Sequence, residues 1–238
     1  MSGVFDVSTS YSSRILQYDT FRAYTNFCCI TLEKDIIENH ESGSLESLLE
    51  LDAVFSSFLR NSRVLVHSGI SIVIRRQIFS TVEKVFPSLS EDSARVVLSH
   101  YKKNGETSAF MMNSYWGDYC CYAENLFNHH GDQPWTSDLM IFLMLKHRTL
   151  NYFGDFLKSV EILAQKHSSK EFDVLLEEVF INHFGDNFYD VDPLNPFGSM
   201  NIKLSIPSFR PLVYSKDFDE RLNGFLALNE GSLRTNSH

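Results

Sequence analysis

Apolar positions recur at helical spacing through the middle of the chain. Leu48, Leu51, Phe55, Phe58 and Leu59 predict a helix over roughly 45–60. Ile74, Ile78, Val82 and Val85 predict a second over roughly 70–86, which Pro87 stops because it has no N–H to continue the ladder. Ser90 opens a third, with Glu91 and Asp92 in the first turn, where carboxylates complement the positive helix end. Its stripe is Ala94, Val97, Leu98 and Tyr101. Lys102, Lys103, Asn104 and Gly105 predict its C-terminus, with the glycine as a left-handed cap. A fourth helical region runs over roughly 107–130, with Gly117 a candidate break. A fifth starts near Trp135, capped by Thr136 or Ser137. It continues through Phe153, Phe156, Leu157, Val160, Leu163 and Ala164, with Gly154 a point of bending or splitting. Ser168 and Glu171 match a capping box. The helix they open carries Phe172, Leu175, Leu176, Val179, Phe180 and His183 on one face.

Both ends of the chain read less clearly. Ser8–Ser13 is polar, Tyr24–Leu32 fits strand or helix, and Ser42-Gly43-Ser44 reads as a linker and helix start. After Gly185 the composition changes, with four of the six prolines between Pro193 and Pro211. Met200, Ile202, Leu204 and Ile206 alternate with Asn201, Lys203 and Ser205, the period of a strand. A last short helix is expected over Asp217–Leu228, followed by a polar, frayed tail from Asn229. The expected fold is mainly α, a single helical domain of six to eight helices. Its parts are an N-terminal segment 1–43, a helical core 44–186, and a proline-rich extension 187–238 that adds a short strand and a terminal helix to the same domain.

Composition narrows the class. The chain has 238 residues, 43% hydrophobic and 21% charged, an ordinary globular mix that excludes global disorder. Thirty acids against 21 bases give a net charge of −9, which disfavours general coating of nucleic acid. The four cysteines form two adjacent pairs, Cys28-Cys29 and Cys120-Cys121. Neighbouring thiols diverge on a helix or strand, which disfavours a disulfide framework or a four-thiolate metal site. No secretory signal is read at Met1–Asp19, and the apolar window Leu139–Leu145 is far shorter than the roughly 20 residues of a membrane span. The expected setting is intracellular, cytoplasmic or nuclear, and signal-less export would leave the same sequence.

Candidate chemistry is sparse. Cys120 or Cys121 with His129, His130 or His183 would make a Cys–His hydrolase, but Tyr119 and Tyr122 flank the thiols and favour a buried, inert reading. His129, His130 and His183 lack the i, i+4 spacing of helical metal ligands. Asp186, Asp190 and Asp192 do not fit a calcium loop. No metal or cofactor is expected. Arg75-Arg76, Lys102-Lys103 and Lys146-His147-Arg148 read as solvated helix faces or ends. A ring-Gly-Asp triplet recurs at Trp116, His130, Phe153 and Phe184, and reads as a helix-end signature.

Met144-Leu145-Lys146-His147-Arg148-Thr149-Leu150, followed by Phe156-Leu157, resembles the W-L-x-R-x-L helix of glycolipid transfer proteins. The resemblance covers a short part of the chain. It implies an all-α lipid shuttle, with Asp92 and His183 placed for headgroup contacts beside Lys146 and Arg148. Met144 stands where the family has its stacking Trp, His147 interrupts the motif, and Val96 and Ser99 replace an expected Asn and Lys.

The favoured function is a non-catalytic interaction or regulatory protein of adaptor, inhibitor or effector type, with a protein partner. An aromatic share of 13% supplies candidate anchors for such an interface. The rivals are a helical apolar-ligand or lipid carrier and a Cys–His or metal-dependent hydrolase.

Overall fold

The computed structural model describes residues 18–38, 41–128, 137–184 and 209–235. They form eight α-helices: α1 (Tyr18–Ile37), α2 (Glu41–Asn61), α3 (Leu65–Val85), α4 (Glu91–Asn104), α5 (Ser108–Asn128), α6 (Ser137–Lys166), α7 (Ser169–Phe184) and α8 (Arg210–Thr235). A 3-10 turn, Phe86–Ser88, follows α3, and Pro87 sits in it as expected. Among the described residues there is no strand. The strand expected at residues 200–206 lies outside them, as do the ring-Gly-Asp triplet at His130 and the Gly185-Asp186 of the triplet at Phe184.

The helix α3 is central. It packs against α1, α2, α5 and α8. Its core face is Ile72, Ile74, Ile78, Phe79, Val82 and Val85, which includes all four residues of the expected stripe. Stripes on its neighbours close the same core: Leu45, Leu48, Phe55 and Leu59 from α2, and Val97, Leu98 and Tyr101 from α4. Phe156, Leu157 and Val160 come from α6, with Phe172 and Leu176 from α7. Two local caps also form as the sequence implies. Ser90 Oγ accepts from Ser93 N–H at 3.3 Å. Ser168 and Glu171 close a reciprocal box at 3.2 and 3.4 Å.

Tyr24–Leu32, open to strand or helix, is helix, inside α1. Ser42-Gly43-Ser44 is a helix start, within the first turn of α2, and not a linker. Other expectations are corrected. Gly117 and Gly154 break nothing, since α5 and α6 run through them. These two ring-Gly-Asp triplets therefore lie inside helices, not at their ends. What Gly117 provides is closeness. A Cβ there would lie 2.7 Å from Arg63 Cβ and clash with the Arg63 carbonyl, so the α2–α3 connection can seat on α5. Gly105 is not a left-handed cap either, because its φ is −72°. An added Cβ would meet Leu222 Cδ2 at 2.7 Å, so the glycine lets α8 approach the end of α4.

The largest correction is α8. It is a 26-residue helix that includes Pro211 in its first turn and runs past Asn229 to Thr235. It also belongs to the core, through buried Leu212, Val213, Phe218, Leu222 and Phe225, with Phe209 just before it. It packs on α3, α4, α5 and α7.

Candidate functional site

The densest polar constellation lies inside the molecule, where α2, α3 and α4 meet. Asp52 and Arg75 stand at core positions of their helices, and both side chains are 0% exposed. Arg75 Nε donates to Asp52 Oδ1 at 3.0 Å and Nη2 to Oδ2 at 3.2 Å, a bidentate fork. His100 Nε2 lies 2.8 Å from Asp52 Oδ2. Arg75 Nη2 also donates to the Asn104 carbonyl at 2.6 Å. Arg60 Nη2 donates to the Lys103 carbonyl at 2.8 Å. Two guanidiniums thus satisfy carbonyls left open at the C-terminus of α4.

Aromatic rings wall this cluster. The Arg75 guanidinium lies 5.1 Å from the centre of the Phe218 ring. Phe79 meets Tyr101, Phe218 and Phe225 edge-to-face at 5.2–5.5 Å. Burial alone would raise the Asp52 carboxyl. The Arg75 charge and the hydrogen bonds from His100 and Arg75 outweigh it and hold the group below its ordinary range. Burial, with the nearby Asp52 charge, pushes the Tyr101 hydroxyl well above its usual value. Arg75 Nη1 and Tyr101 Oη are buried without a hydrogen-bond partner. The Asp52–Arg75 pair is fully buried and charge-compensated, an arrangement that fixes how three helices meet, while His100 reaches the edge of the cluster.

The sequence placed Arg75-Arg76 on a solvated face, and that is corrected. Arg75 is fully buried, and half-buried Arg76 pairs with Asp217 at 2.8 Å. A signal was present. Arg75 stands three residues from both Ile72 and Ile78, and Asp52 stands between Leu48 and Phe55. An acid and a cation, each inside an apolar stripe, are candidates for each other. By contrast, Lys102 and Lys103 are exposed, as expected.

A second polar region lies along α8. Asp219 accepts from Thr107 N–H at 2.9 Å, Thr107 Oγ1 at 2.6 Å and Ser108 N–H at 2.8 Å, and so caps α5. Its neighbour Glu220 accepts from Ser169 N–H at 2.6 Å and Ser169 Oγ at 2.7 Å, capping α7. Lys216 Nζ donates to the Ala164 carbonyl near the end of α6 at 2.5 Å. Asp118, inside α5, accepts from Leu65 N–H at 3.4 Å at the start of α3. Burial raises both Asp118 and Asp219, against the hydrogen bonds that each receives. A cleft of about 570 Å³ opens here, lined by Lys102, Glu106, Lys216, Glu220, Asn223 and others. The α8 charges on its wall are already engaged in capping, and the lining is polar, unsuited to an acyl chain.

Of the nominated ligand residues, the structure describes the side chain of Asp92 alone. Asp92 is exposed in the first turn of α4. Lys146 and Arg148 lie in α6 and His183 in the last turn of α7, with side chains outside the described residues. Among the thiols, Cys120 is exposed, which corrects the buried reading. It follows Ala109 and Asn113 on the outward face of α5, eleven and seven residues on. Cys29 is buried, and burial pushes its thiol up. Among the described residues no group of three His, Cys, Asp or Glu could hold a metal ion. None of the described helices is long and apolar enough to cross a membrane.

Among the described residues, α1 carries a surface feature that the core does not explain. On α1, Tyr24, Phe27 and Ile30 are 54%, 66% and 69% exposed and lie along one face. The opposite face, with Phe21, Thr25, Cys29 and Leu32, packs on α2 and α3. Gln77 donates to Asn26, and Lys84 Nζ to Glu33 at 2.9 Å. Equal seven-residue steps on both helices show that α1 and α3 run parallel. Comparison with protein-family models, with curated proteins and with solved structures gives no match.

Proposed function

We propose that this helical protein is a non-catalytic interaction or regulatory protein, acting inside the cell through the outward face of α1. The observation that carries the reading is the exposure of Tyr24, Phe27 and Ile30 side by side. Three large apolar side chains in water cost on the order of 1.5–3 kcal/mol each relative to burial, so a contiguous set marks a surface that a partner covers. The ionic groups of the interior serve packing instead: Asp52 and Arg75 are sealed, and Asp219 and Glu220 cap helices. Free thiols at Cys28, Cys29 and Cys120 fit a reducing compartment.

The test is affinity capture from a lysate with the wild-type chain and with Phe27→Glu. A partner retained by the wild type and lost with the variant supports the proposal. Identical captures by both chains overturn the assignment to α1.

A further inference from the structure

We infer that the outward face of α1 is a self-association surface, on which a second copy of this chain docks its own α1 in antiparallel orientation; the inference rests on the interaction reading of that face.

The face has the spacing of a helix–helix seam. Thr20, Ala23, Phe27, Ile30 and Lys34 fall at alternating steps of three and four, the heptad pattern, with Tyr24 and Thr31 alongside. From Ala23 to Leu32 the chain carries no charged residue, which is what a seam buried between two copies requires.

The charges that flank the seam select the orientation. Asp19 is in the first turn of α1 and Lys34 in the last. Both are exposed. A parallel pair would set Asp19 against Asp19 and Lys34 against Lys34. An antiparallel pair with its two-fold axis at Phe27 opposes residues whose numbers sum to 54. Tyr24 then meets Ile30 of the second copy, and Lys34 comes within one residue of Asp19 of the second copy. The two helix dipoles also oppose in this arrangement. One patch facing itself across a two-fold axis is the commonest symmetric interface.

Size sets the expected strength. Twenty helical residues span about 30 Å. A single helix pair of that length buries on the order of 1,000 Å² in total, the lower end for a specific interface, so the dimer should be of micromolar affinity.

The test is sedimentation velocity on the purified full-length chain across about 1 to 100 µM, bracketing that affinity. The wild type should pass from monomer to dimer within the series. Phe27→Glu should stay monomeric, with an unchanged circular dichroism spectrum and melting temperature, because the side chain is mostly in solvent. Asp19→Lys should weaken the dimer several-fold, and Asp19→Lys with Lys34→Asp should restore it. Failure of the double variant to restore association overturns the antiparallel register. A wild type that stays monomeric throughout overturns self-association. If that monomer still captures a partner that Phe27→Glu loses, the interaction reading stands and the occupant is a different protein.

Discussion

The first and last of the described helices, α1 and α8, have 20 and 26 residues, and α1 is the more apolar of the two, yet the fold buries α8 more deeply. The helix α8 lies against α3, α4, α5 and α7 and buries both of its Phe side chains, Phe218 and Phe225. Its polar residues are spent on other helices: Asp219 on α5, Glu220 on α7 and Lys216 on α6. The helix α1 lies against α2 and α3 and leaves Tyr24, Phe27 and Ile30 outside. The difference teaches that apolar content alone does not make a core helix. What places α8 inside is that its carboxylates and ammonium satisfy helix ends which would otherwise be left open. A helix without such obligations, such as α1 on its outer face, is free to serve a partner.

The interior next to α8 gives the largest expected effect. Arg75→Met leaves Asp52 buried with His100 alone, and should cost about 3–5 kcal/mol of unfolding free energy near neutral pH. Asp52→Leu with Arg75→Met removes both charges and should cost clearly less than the single change. Urea unfolding checks both, and additive costs would show that the two residues do not act as a pair. The pH dependence follows from the direction of the shift. Asp52 is held below its ordinary value, so its contribution is present above the unfolded carboxyl pKa of about 3.9 and is lost as pH falls through the folded value. The wild-type advantage over the double variant should therefore shrink on acidification below about pH 4. An advantage that is constant down to pH 3 would contradict the assignment.

A matched pair of substitutions compares the two helices directly. Phe218 is 1% exposed and Phe27 is 66% exposed. Phe218→Ala should cost about 3–5 kcal/mol, as for buried Phe elsewhere. Phe27→Ala should stay within about 0.5 kcal/mol. The chemistry of the two changes is the same, so the gap between them measures position alone. A large loss at Phe27 in dilute, monomeric protein would mean that its ring is covered by the chain itself.

The same contrast explains what could be read from the sequence. The helices α2, α3 and α4 were legible because their apolar stripes face one way: Leu48, Phe55 and Leu59, or Ile74, Ile78 and Val82. Tyr24–Leu32 fitted strand and helix alike because α1 is apolar on both faces, so the period that distinguishes them is blurred. The local caps at Ser90 and Ser168 were legible because donor and acceptor lie three residues apart. The caps from Asp118, Asp219 and Glu220 were not, because they span 53, 111 and 51 residues and no spacing rule connects them. The ion pair joins residues 23 apart, and a pair of arginines in sequence reads as a solvated face until Arg75 is placed on the core side. The short α8 expected over Asp217–Leu228 fell short for a related reason. Its first turn holds Pro211, and its charged positions conceal a core stripe whose partners lie in four other helices.

Two glycines give the finest test of how closely each helix is held. Gly117 is buried in α5, and an added methyl would lie 2.7 Å from Arg63 Cβ and closer still to the Arg63 carbonyl. Backbone cannot yield as a side chain does, so Gly117→Ala should cost about 1–3 kcal/mol through overpacking. Gly224 sits in α8 with nothing within 4 Å of its would-be Cβ. There the added methyl meets open space, and the substitution acts by restricting the unfolded chain and raising helix propensity. Gly224→Ala should therefore stabilise by about 0.5–1 kcal/mol, raising the thermal midpoint by a few degrees. Both changes add the same methyl group to a helix interior, so opposite signs in thermal unfolding would trace to the Arg63 backbone alone. A destabilised Gly224→Ala would show that this face of α8 is covered by chain, and would move the C-terminal helix further inside than the exposed Gly224 places it.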